Sequence, residues 1–203
     1  MRTAYALLGL TFLVVFGLAY LLVERAHAPG QPQIQQAPDR SSYESNEAPM
    51  LTLTSPAFAH GAAIPAHYTC EGENLSPELS IDGVPEGTVS LALTMIDPDI
   101  PESVRTNMGI DTFDHWVVFN MPADTRTIEP GVRPVGVTGM NSAGQGYTGP
   151  CPPDREHRYI FTLYAVDTVL PLNASAHRAD LEAALRGHVI QEATLLGVYE
   201  KHN

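Results

Sequence analysis

Lysine, cysteine and tryptophan are scarce in this sequence. Lys201 is the single lysine among 203 residues, and acidic side chains outnumber basic ones by 23 to 11. Nucleic-acid binding needs clustered Lys and Arg to neutralise phosphates, so this balance argues against a nucleic-acid partner. The two cysteines, Cys70 and Cys151, form no C-x-x-C pair. Thiol redox chemistry and a cysteine-based zinc site therefore have no support in the sequence.

The same two cysteines leave two interpretations open. Both lie in segments that contain proline and glycine. If the domain is exported, a disulfide between Cys70 and Cys151 is expected, because oxidising compartments preserve such bonds. Two independent buried thiols are the alternative, and the sequence is compatible with both.

The one long apolar run lies at the N-terminus. Residues 4–23 carry no charge, and as a helix they would span about 30 Å, the thickness of the hydrocarbon core. We predict that residues 1–25 form a single-pass signal anchor in the cytoplasmic membrane, with Arg2 inside and the remainder of the chain on the periplasmic side. Cleavage after Ala28, which would release a secreted protein, is the alternative; Pro29 next to that site disfavours it.

The remainder divides into a tether and one domain. Residues 26–49 are rich in Pro, Gln, Ser and Glu, without apolar periodicity, and are predicted to be disordered. Residues 50–203 are predicted to be one domain, with strands at 50–55, 78–81, 89–96, 114–120, 158–167 and 191–200. Residues 102–113 are interpreted as a polar loop, and 173–187 as the one convincing helix. This pattern predicts a mainly β fold, an antiparallel sandwich or barrel.

Polar side chains stand at strand ends beside proline-fixed loops. Asp97 and Asp99 close one predicted strand, His115 opens the next, and His157 and Tyr159 follow the Pro/Gly-rich segment 146–153. Loops of this kind often carry binding sites, and the set would suit a small anion pocket. Each motif alone is more often structural, because Asp-Pro-Asp is a common turn and a His-Trp pair at a strand start commonly packs. Spacing alone indicates a binding cleft with no defined ligand.

Taken together, the motifs resemble the phosphatidylethanolamine-binding protein family. They are Asp97-Pro98-Asp99-Ile100-Pro101, Asp114-His115-Trp116-Val117-Val118-Phe119-Asn120, Gly146-Tyr147-Thr148-Gly149-Pro150-Cys151-Pro152-Pro153 and His157-Arg158-Tyr159. With the stretch from Tyr68 to Pro77, they are most similar to the bacterial and archaeal Raf-kinase-inhibitor-like branch, the YbhB/YbcL type. The likeness covers residues 51–199. It departs at Ile81, where the branch often has tryptophan, which affects one wall of the cleft.

The resemblance implies a two-sheet antiparallel β-sandwich with a few peripheral helices and a small cavity. The cavity would take an anionic group such as phosphate, phosphoethanolamine, acetate or cacodylate. The implied ligand-binding residues are Asp97, Asp99, Pro101, His115, Gly149, Pro150, His157 and Tyr159, with Asp99 and Pro101 shaping a loop. Backbone N–H groups of the Gly/Pro loop and the histidines are expected to donate to phosphate oxygens. No cofactor or metal is expected, because the histidines lack a local zinc spacing.

We therefore expect an exported, membrane-tethered binding protein, and not an enzyme, that recognises an anionic or phosphorylated small ligand or lipid headgroup. The alternative is inhibition of a protease, or less readily a kinase, through surface loops, as family relatives are described to do. A hydrolase is least expected. The sequence has no Gly-x-Ser-x-Gly elbow, and Ser142 has no evident base beside it.

Overall fold

A computed structural model describes residues 50–202 of the chain. The predicted anchor at 1–25 and the predicted tether at 26–49 lie outside the described residues and stay predictions. Within residues 50–202, no helix is both long enough and apolar enough to cross a membrane.

Strands dominate the described part of the chain. They are β1 (Thr52–Thr54), β2 (Ala62–Ala63), β3 (Leu79–Asp82), β4 (Ser90–Asp97), β5 (Phe113–Pro122), β6 (Thr127–Ile128), β7 (Val137–Thr138), β8 (Met140–Asn141), β9 (Gly144–Gln145), β10 (His157–Val166) and β11 (Val189–Tyr199). A six-stranded sheet has the order β2-β11-β10-β4-β5-β7, a three-stranded sheet the order β1-β3-β6, and β8 pairs with β9. Strand β2 runs parallel to β11, whereas the other pairs described are antiparallel.

The predicted strands are confirmed, with ends that shift by no more than two residues. Strand β4 shows why the sequence signal is strong, because seven of its eight residues are buried, the eighth is Ile96, and none is proline or glycine. Such runs suit a central strand that is covered on both faces. The mainly β class predicted from the sequence is therefore correct.

The helices correct the sequence interpretation. Residues 102–113 are not only a loop, because helix α1 covers Glu102–Met108. Pro101 stands at its N-cap, next to N–H groups that have no helical partner, and Gly109 ends it at φ 67°, a left-handed conformation that glycine adopts without strain. A 3₁₀ turn covers Ala66–Tyr68. Short helices of this kind lack the apolar periodicity that reveals longer ones.

The predicted helix at 173–187 is too long at both ends, because helix α2 covers Arg178–Leu185. The Asn173 side chain accepts a hydrogen bond from the Ser175 N–H at 2.9 Å, which forms a local turn instead of a helical start. The helix begins where the His177 N–H donates to the Asp180 carboxylate at 2.9 Å.

The core has two layers, one on each face of the large sheet. Between the sheets lies a cluster built on Leu53, Ile81, Leu93, Trp116, Phe161 and Leu195. On the opposite face, Leu181 and Leu185 of α2 belong to a second cluster with Val117 and Phe119. Burial of each large apolar side chain contributes about 1.5 to 3 kcal/mol. Both faces of β5 are thus fixed by packing, and this rigidity supports the polar groups at its start.

Candidate ligand-binding site

A cavity of about 320 Å³ opens where β4 ends and β5 begins. We call it the Asp97 cavity. Its walls are largely apolar, and its polar groups come from Asp97, His115 and the segment after residue 147. It is lined by Asp97, Ile100, Pro101, Val104, Phe113, His115, Thr148, Gly149, Cys151 and Pro153.

A β-bulge directs His115 toward this cavity. Met95 of β4 faces Trp116 of β5, but the next residue, Ile96, faces Asp114, so His115 is the extra residue. Bulges re-aim side chains beside functional sites. The bulged residue is also held by Thr148, whose N–H donates to the His115 carbonyl at 2.9 Å.

Hydrogen bonding fixes the tautomer of His115. Its Nδ1 lies 2.6 Å from the Thr148 carbonyl oxygen, and because a carbonyl only accepts, Nδ1 carries the proton. The ring is 4% exposed. Burial lowers the pKa of His115 below its usual 6.5, against the opposing effect of the Thr148 carbonyl. The neutral ring therefore keeps a lone pair on Nε2, which is an acceptor at neutral pH.

His157 lies behind the cavity between two carboxylates. Its Nδ1 is 2.7 Å from an Asp97 oxygen, and its Nε2 is 2.8 Å from an Asp154 oxygen. Because carboxylates accept only, this geometry matches a doubly protonated ring. The hydrogen bond from His157 lowers the pKa of Asp154. His157 is completely buried. It influences the cavity by holding Asp97, and it adds to the burial that lowers the pKa of His115.

Asp99 acts on the loop and not on the cavity. Its carboxylate accepts from the Arg158 side chain at 2.8 Å through both oxygens and from the Arg158 N–H at 3.0 Å. These bonds lower the pKa of Asp99 to about 2. The Asp99 N–H donates to Asp97 at 2.7 Å. The Asp99 N–H thus holds one carboxylate oxygen of Asp97, and His157 holds the other.

The segment of residues 146–151 is fastened to residues 68–74. Cys70 and Cys151 are joined by a disulfide with a Cα separation of 5.4 Å. The Cys70 N–H donates to the Pro150 carbonyl at 3.0 Å, and the Tyr147 hydroxyl donates to the Tyr68 carbonyl at 2.9 Å. Of the two interpretations of the cysteines, the structure supports the disulfide.

Gly149 allows the closest approach between these segments. A Cβ at this position would lie 2.6 Å from the Tyr68 carbonyl oxygen and 2.5 Å from the Asn74 Oδ1. The Gly149 N–H donates to the same Asn74 oxygen at 2.8 Å. The Gly149 N–H and the Thr148 N–H therefore both donate to acceptors within the protein. The expectation that N–H groups of this loop bind phosphate is therefore wrong for these two residues.

Two asparagines and two charged residues of the site were missed in the sequence interpretation. Asn141 donates to the carbonyl oxygens of His115 and Gly146 at 3.2 and 2.8 Å, and Asn74 holds Gly149. Asp154 and Arg158 complete the ion pairs. Asn74 lies in the stretch from Tyr68 to Pro77 that carries the family resemblance, which was the only available signal for it.

The structure places the eight predicted ligand residues in two groups. Asp97, Pro101, His115 and Gly149 line the cavity. Asp99, Pro150, His157 and Tyr159 lie outside its lining and support those that do. The Tyr159 hydroxyl is buried and forms no hydrogen bond of good geometry within residues 50–202, although the Cys151 backbone approaches it. Residues 50–202 contain no group of three or more His, Cys, Asp or Glu arranged to hold a metal ion.

The fold is a β-sandwich with a small, mostly apolar cavity and a few fixed polar groups at its base, the arrangement that small-ligand sites in proteins commonly have. Comparison with known proteins gives the family. The profile of the family described as phosphatidylethanolamine-binding protein matches residues 54–200. A UPF0098 protein of Chlamydia pneumoniae is 44% identical over 152 residues, 74% of this chain and 99% of that protein. One from Methanothermobacter thermautotrophicus is 46% identical over 158 residues, again 74% and 99%.

Solved structures agree with these relatives. The phosphatidylethanolamine-binding protein homologue CT736 from Chlamydia trachomatis has a TM-score of 0.72 at 41% identity, covering 75% of this chain and 99% of its own. Escherichia coli YbcL has a TM-score of 0.67 at 32% identity, with the same coverage of 75% and 99%. This chain belongs to the phosphatidylethanolamine-binding protein family. Within the family it falls in the bacterial and archaeal branch.

Proposed function

We propose that this protein is an exported, membrane-tethered binding protein, and not an enzyme, that recognises a phosphorylated or otherwise anionic small ligand or lipid headgroup in the Asp97 cavity. The observation that carries the proposal is the pairing of a buried carboxylate with a neutral histidine of fixed tautomer at the base of an apolar cavity. Asp97 is hydrogen-bonded to Asp99 and His157, and His115 is hydrogen-bonded to Thr148, so the two groups do not bond to each other in the described residues. Both remain available to a ligand.

The charges favour a ligand with an ammonium group as well as a phosphate. Among residues 50–202, no Lys or Arg lines the Asp97 cavity, and the Asp97 carboxylate repels a bare dianion. An ammonium group would offset this repulsion by donating to Asp97, which has lone pairs left after its two internal bonds. The phosphate would then accept from His115 Nε2 once that atom is protonated. Phosphoethanolamine meets both requirements.

The hydrogen bonds support binding over catalysis. Both nitrogens of His157 are held by carboxylates, which leaves that ring no free position for accepting a proton. Thr148 supplies the only hydroxyl in the cavity lining, and it already accepts from Asn141 at 3.1 Å. A nucleophile needs a base within hydrogen-bond reach, and no residue that lines the cavity gives Thr148 one in the described hydrogen bonds.

The disulfide supports the proposed location. Disulfides persist in oxidising compartments and are rare in the cytosol, and the Cys70–Cys151 bond fixes a wall of the cavity. Together with the anchor predicted for residues 1–25, it favours a domain that works on the outer side of the cytoplasmic membrane.

Calorimetric titration of the full-length protein with phosphoethanolamine tests the proposal. The matched variants are His115→Asn, whose amide can replace Nδ1 as the donor to Thr148, and His115→Ala, which loses both nitrogens. We expect binding to the native protein and at least about tenfold weaker binding to both variants, because each lacks Nε2. Equal binding by His115→Asn would show that Nε2 is not used. Absence of binding by the native protein would contradict the proposal and favour protease inhibition through surface loops.

A further inference from the structure

A second cavity, of about 220 Å³, lies on the other side of segment 146–149. We call it the Trp116 cavity. Trp116 and Tyr147 form aromatic walls, with ring centroids 5.4 Å apart and planes at 84°. Asn74, Ser76, Arg133 and Thr138 supply the polar groups. Neighbouring residues of β5 thus serve different cavities, His115 the Asp97 cavity and Trp116 this one.

Two buried hydroxyl groups line the Trp116 cavity with bonding capacity left over. Thr138 is 5% exposed, and its hydroxyl has no hydrogen-bond partner in the described part of the chain. Ser76 is 4% exposed. Its oxygen accepts from the Gly131 N–H at 3.1 Å, so its proton is still available for donation. Buried polar groups are nearly always paired. The Thr138 oxygen is itself almost fully shielded in the cavity wall, so a ligand would reach its hydroxyl only through a small movement of that wall.

The other polar groups around this cavity are donors. Asn74 uses its Oδ1 to hold Gly149, which leaves its NH₂ group to donate. The Trp116 indole N–H is a donor only. Arg133 is exposed and has no ion-pair partner among residues 50–202. A ligand for this set has to bring acceptors.

The residues that line the Trp116 cavity also favour a negatively charged ligand. Within the described part of the chain, Arg133 is the one charged residue that lines the Trp116 cavity, and no carboxylate lines it, in contrast to the Asp97 cavity. Guanidinium groups pair with carboxylates through two parallel hydrogen bonds. Leu75, Val132 and Pro134 add apolar wall to the two aromatic rings. The volume is below the range of about 300 to 1,000 Å³ that is usual for drug-sized ligands, so the ligand is small.

From these observations we infer that the Trp116 cavity is a second binding site, for a small monocarboxylate with a compact apolar or aromatic body. The carboxylate accepts from Arg133 at the rim and from the hydroxyl and amide donors further in. The apolar body lies against Trp116 and Tyr147. This site is independent of Asp97 and His115 and does not depend on the function proposed for them.

The sequence provides its own probe, because Trp116 is the only tryptophan in the chain. Tryptophan emission of the full-length protein is titrated with benzoate at constant ionic strength. Arg133→Gln and Thr138→Val alter the site. Arg186→Gln is the matched control, since it removes the same charge from an exposed arginine at the end of α2. His115→Asn tests whether benzoate enters the Asp97 cavity instead.

We expect a saturable change in emission with the native protein, Arg186→Gln and His115→Asn. The dissociation constant should rise about 5- to 10-fold in Arg133→Gln, because one charge-assisted contact is lost, and by a smaller factor in Thr138→Val. The neutral analogue benzamide should bind more weakly than benzoate. The inference is overturned if benzoate gives no saturable change. It is equally overturned if His115→Asn abolishes the change, or if Arg133→Gln and Arg186→Gln behave alike.

Discussion

The two cavities on either side of segment 146–149 differ in how their polar groups are satisfied. In the Asp97 cavity, Asp97 is held by Asp99 and His157, and His115 is held by Thr148. In the Trp116 cavity, the Thr138 hydroxyl has no partner in the described residues, and Arg133 has no counter-ion there. The first is preorganised by internal hydrogen bonds, whereas the second has donors that no protein group in the described residues satisfies.

The common wall makes this difference testable. Segment 146–149 lines one cavity with Gly146 and Tyr147 and the other with Thr148 and Gly149. A substitution that alters how segment 146–149 is held against residues 68–74 should change ligand binding in both cavities. A substitution of a polar group in one cavity should leave ligand binding in the other unchanged.

Removal of the disulfide should have the largest effect. The bond joins residues 81 positions apart, and closing a loop of that length stabilises the native state by about 4 kcal/mol in the chain-entropy account. We expect Cys70→Ser/Cys151→Ser to lower the free energy of unfolding by about that amount in urea denaturation. Phosphoethanolamine binding should weaken more than benzoate binding, because Cys151 lines only the Asp97 cavity.

Reductant provides the control for this experiment. It should destabilise the native protein and leave the double variant unaffected, because the chain has no other cysteine. A native protein whose urea midpoint does not change on reduction would contradict the structural role of the bond.

Gly149→Ala should have the next largest effect. The added methyl group would meet the Tyr68 carbonyl oxygen at 2.6 Å, and this oxygen, two residues before the disulfide-bonded Cys70, is held by the Tyr147 hydroxyl. We expect a loss of about 2 to 3 kcal/mol in the free energy of unfolding and weaker binding at both cavities.

Gly61→Ala is the matched control for the glycine variant. Gly61 has a φ of +80° and no atom within 4 Å of an added Cβ, so this variant measures backbone strain alone, about 1 kcal/mol. If the two variants are equally stable, the close approach at Gly149 does not constrain the wall.

The pH dependence of anion binding should separate the two cavities. Sulfate is the suitable probe because its charge is constant, whereas phosphate groups titrate near pH 6. Burial keeps His115 neutral, with its pKa below 6.5, and bound sulfate would favour the protonated ring. Sulfate affinity should therefore rise by up to about tenfold per unit as the pH falls from 7 toward the His115 pKa, and then level off.

The groups that face His115 should not produce this slope. Asp97, Asp114 and His157 act on its charge, but they are retained in His115→Asn. We expect calorimetry with this variant to show weak sulfate binding that is independent of pH. Benzoate binding at the Trp116 cavity should not change between pH 7 and 6. A pH slope that persists in His115→Asn would assign the proton to another group.

Asp99→Asn should have the smallest effect and should be confined to stability. The folded-state pKa of Asp99 is lowered from 3.8 to about 2, so its contribution is complete above pH 4 and is lost as the pH falls toward 2. Because Arg158 is exposed, we expect about 0.2 to 1 kcal/mol. Thermal unfolding should show native and variant proteins differing at pH 7 and converging near pH 2. A difference as large at pH 2 as at pH 7 would contradict the role of the ion pair.

The sequence predicted the strands and the family better than the polar contacts. Strands β4, β5 and β10 are long apolar runs, so their burial can be predicted from the local sequence. The ordered motifs specified the fold. The bulge at His115 is different, because register depends on how two distant strands pack. The roles of Asn74 and Asn141 likewise depend on contacts with residues far along the chain or across a turn, and asparagine in a loop gives no separate signal.

The ring nitrogens of His115 give the most direct test of the account. In ¹⁵N NMR spectra of histidine rings at neutral pH, free His115 should show a protonated Nδ1 and an unprotonated Nε2. Addition of phosphoethanolamine should shift Nε2 toward its protonated position and leave both nitrogens of His157 unchanged. A His115 ring that stays unchanged at saturating ligand would contradict the claim that this cavity recognises phosphate through Nε2.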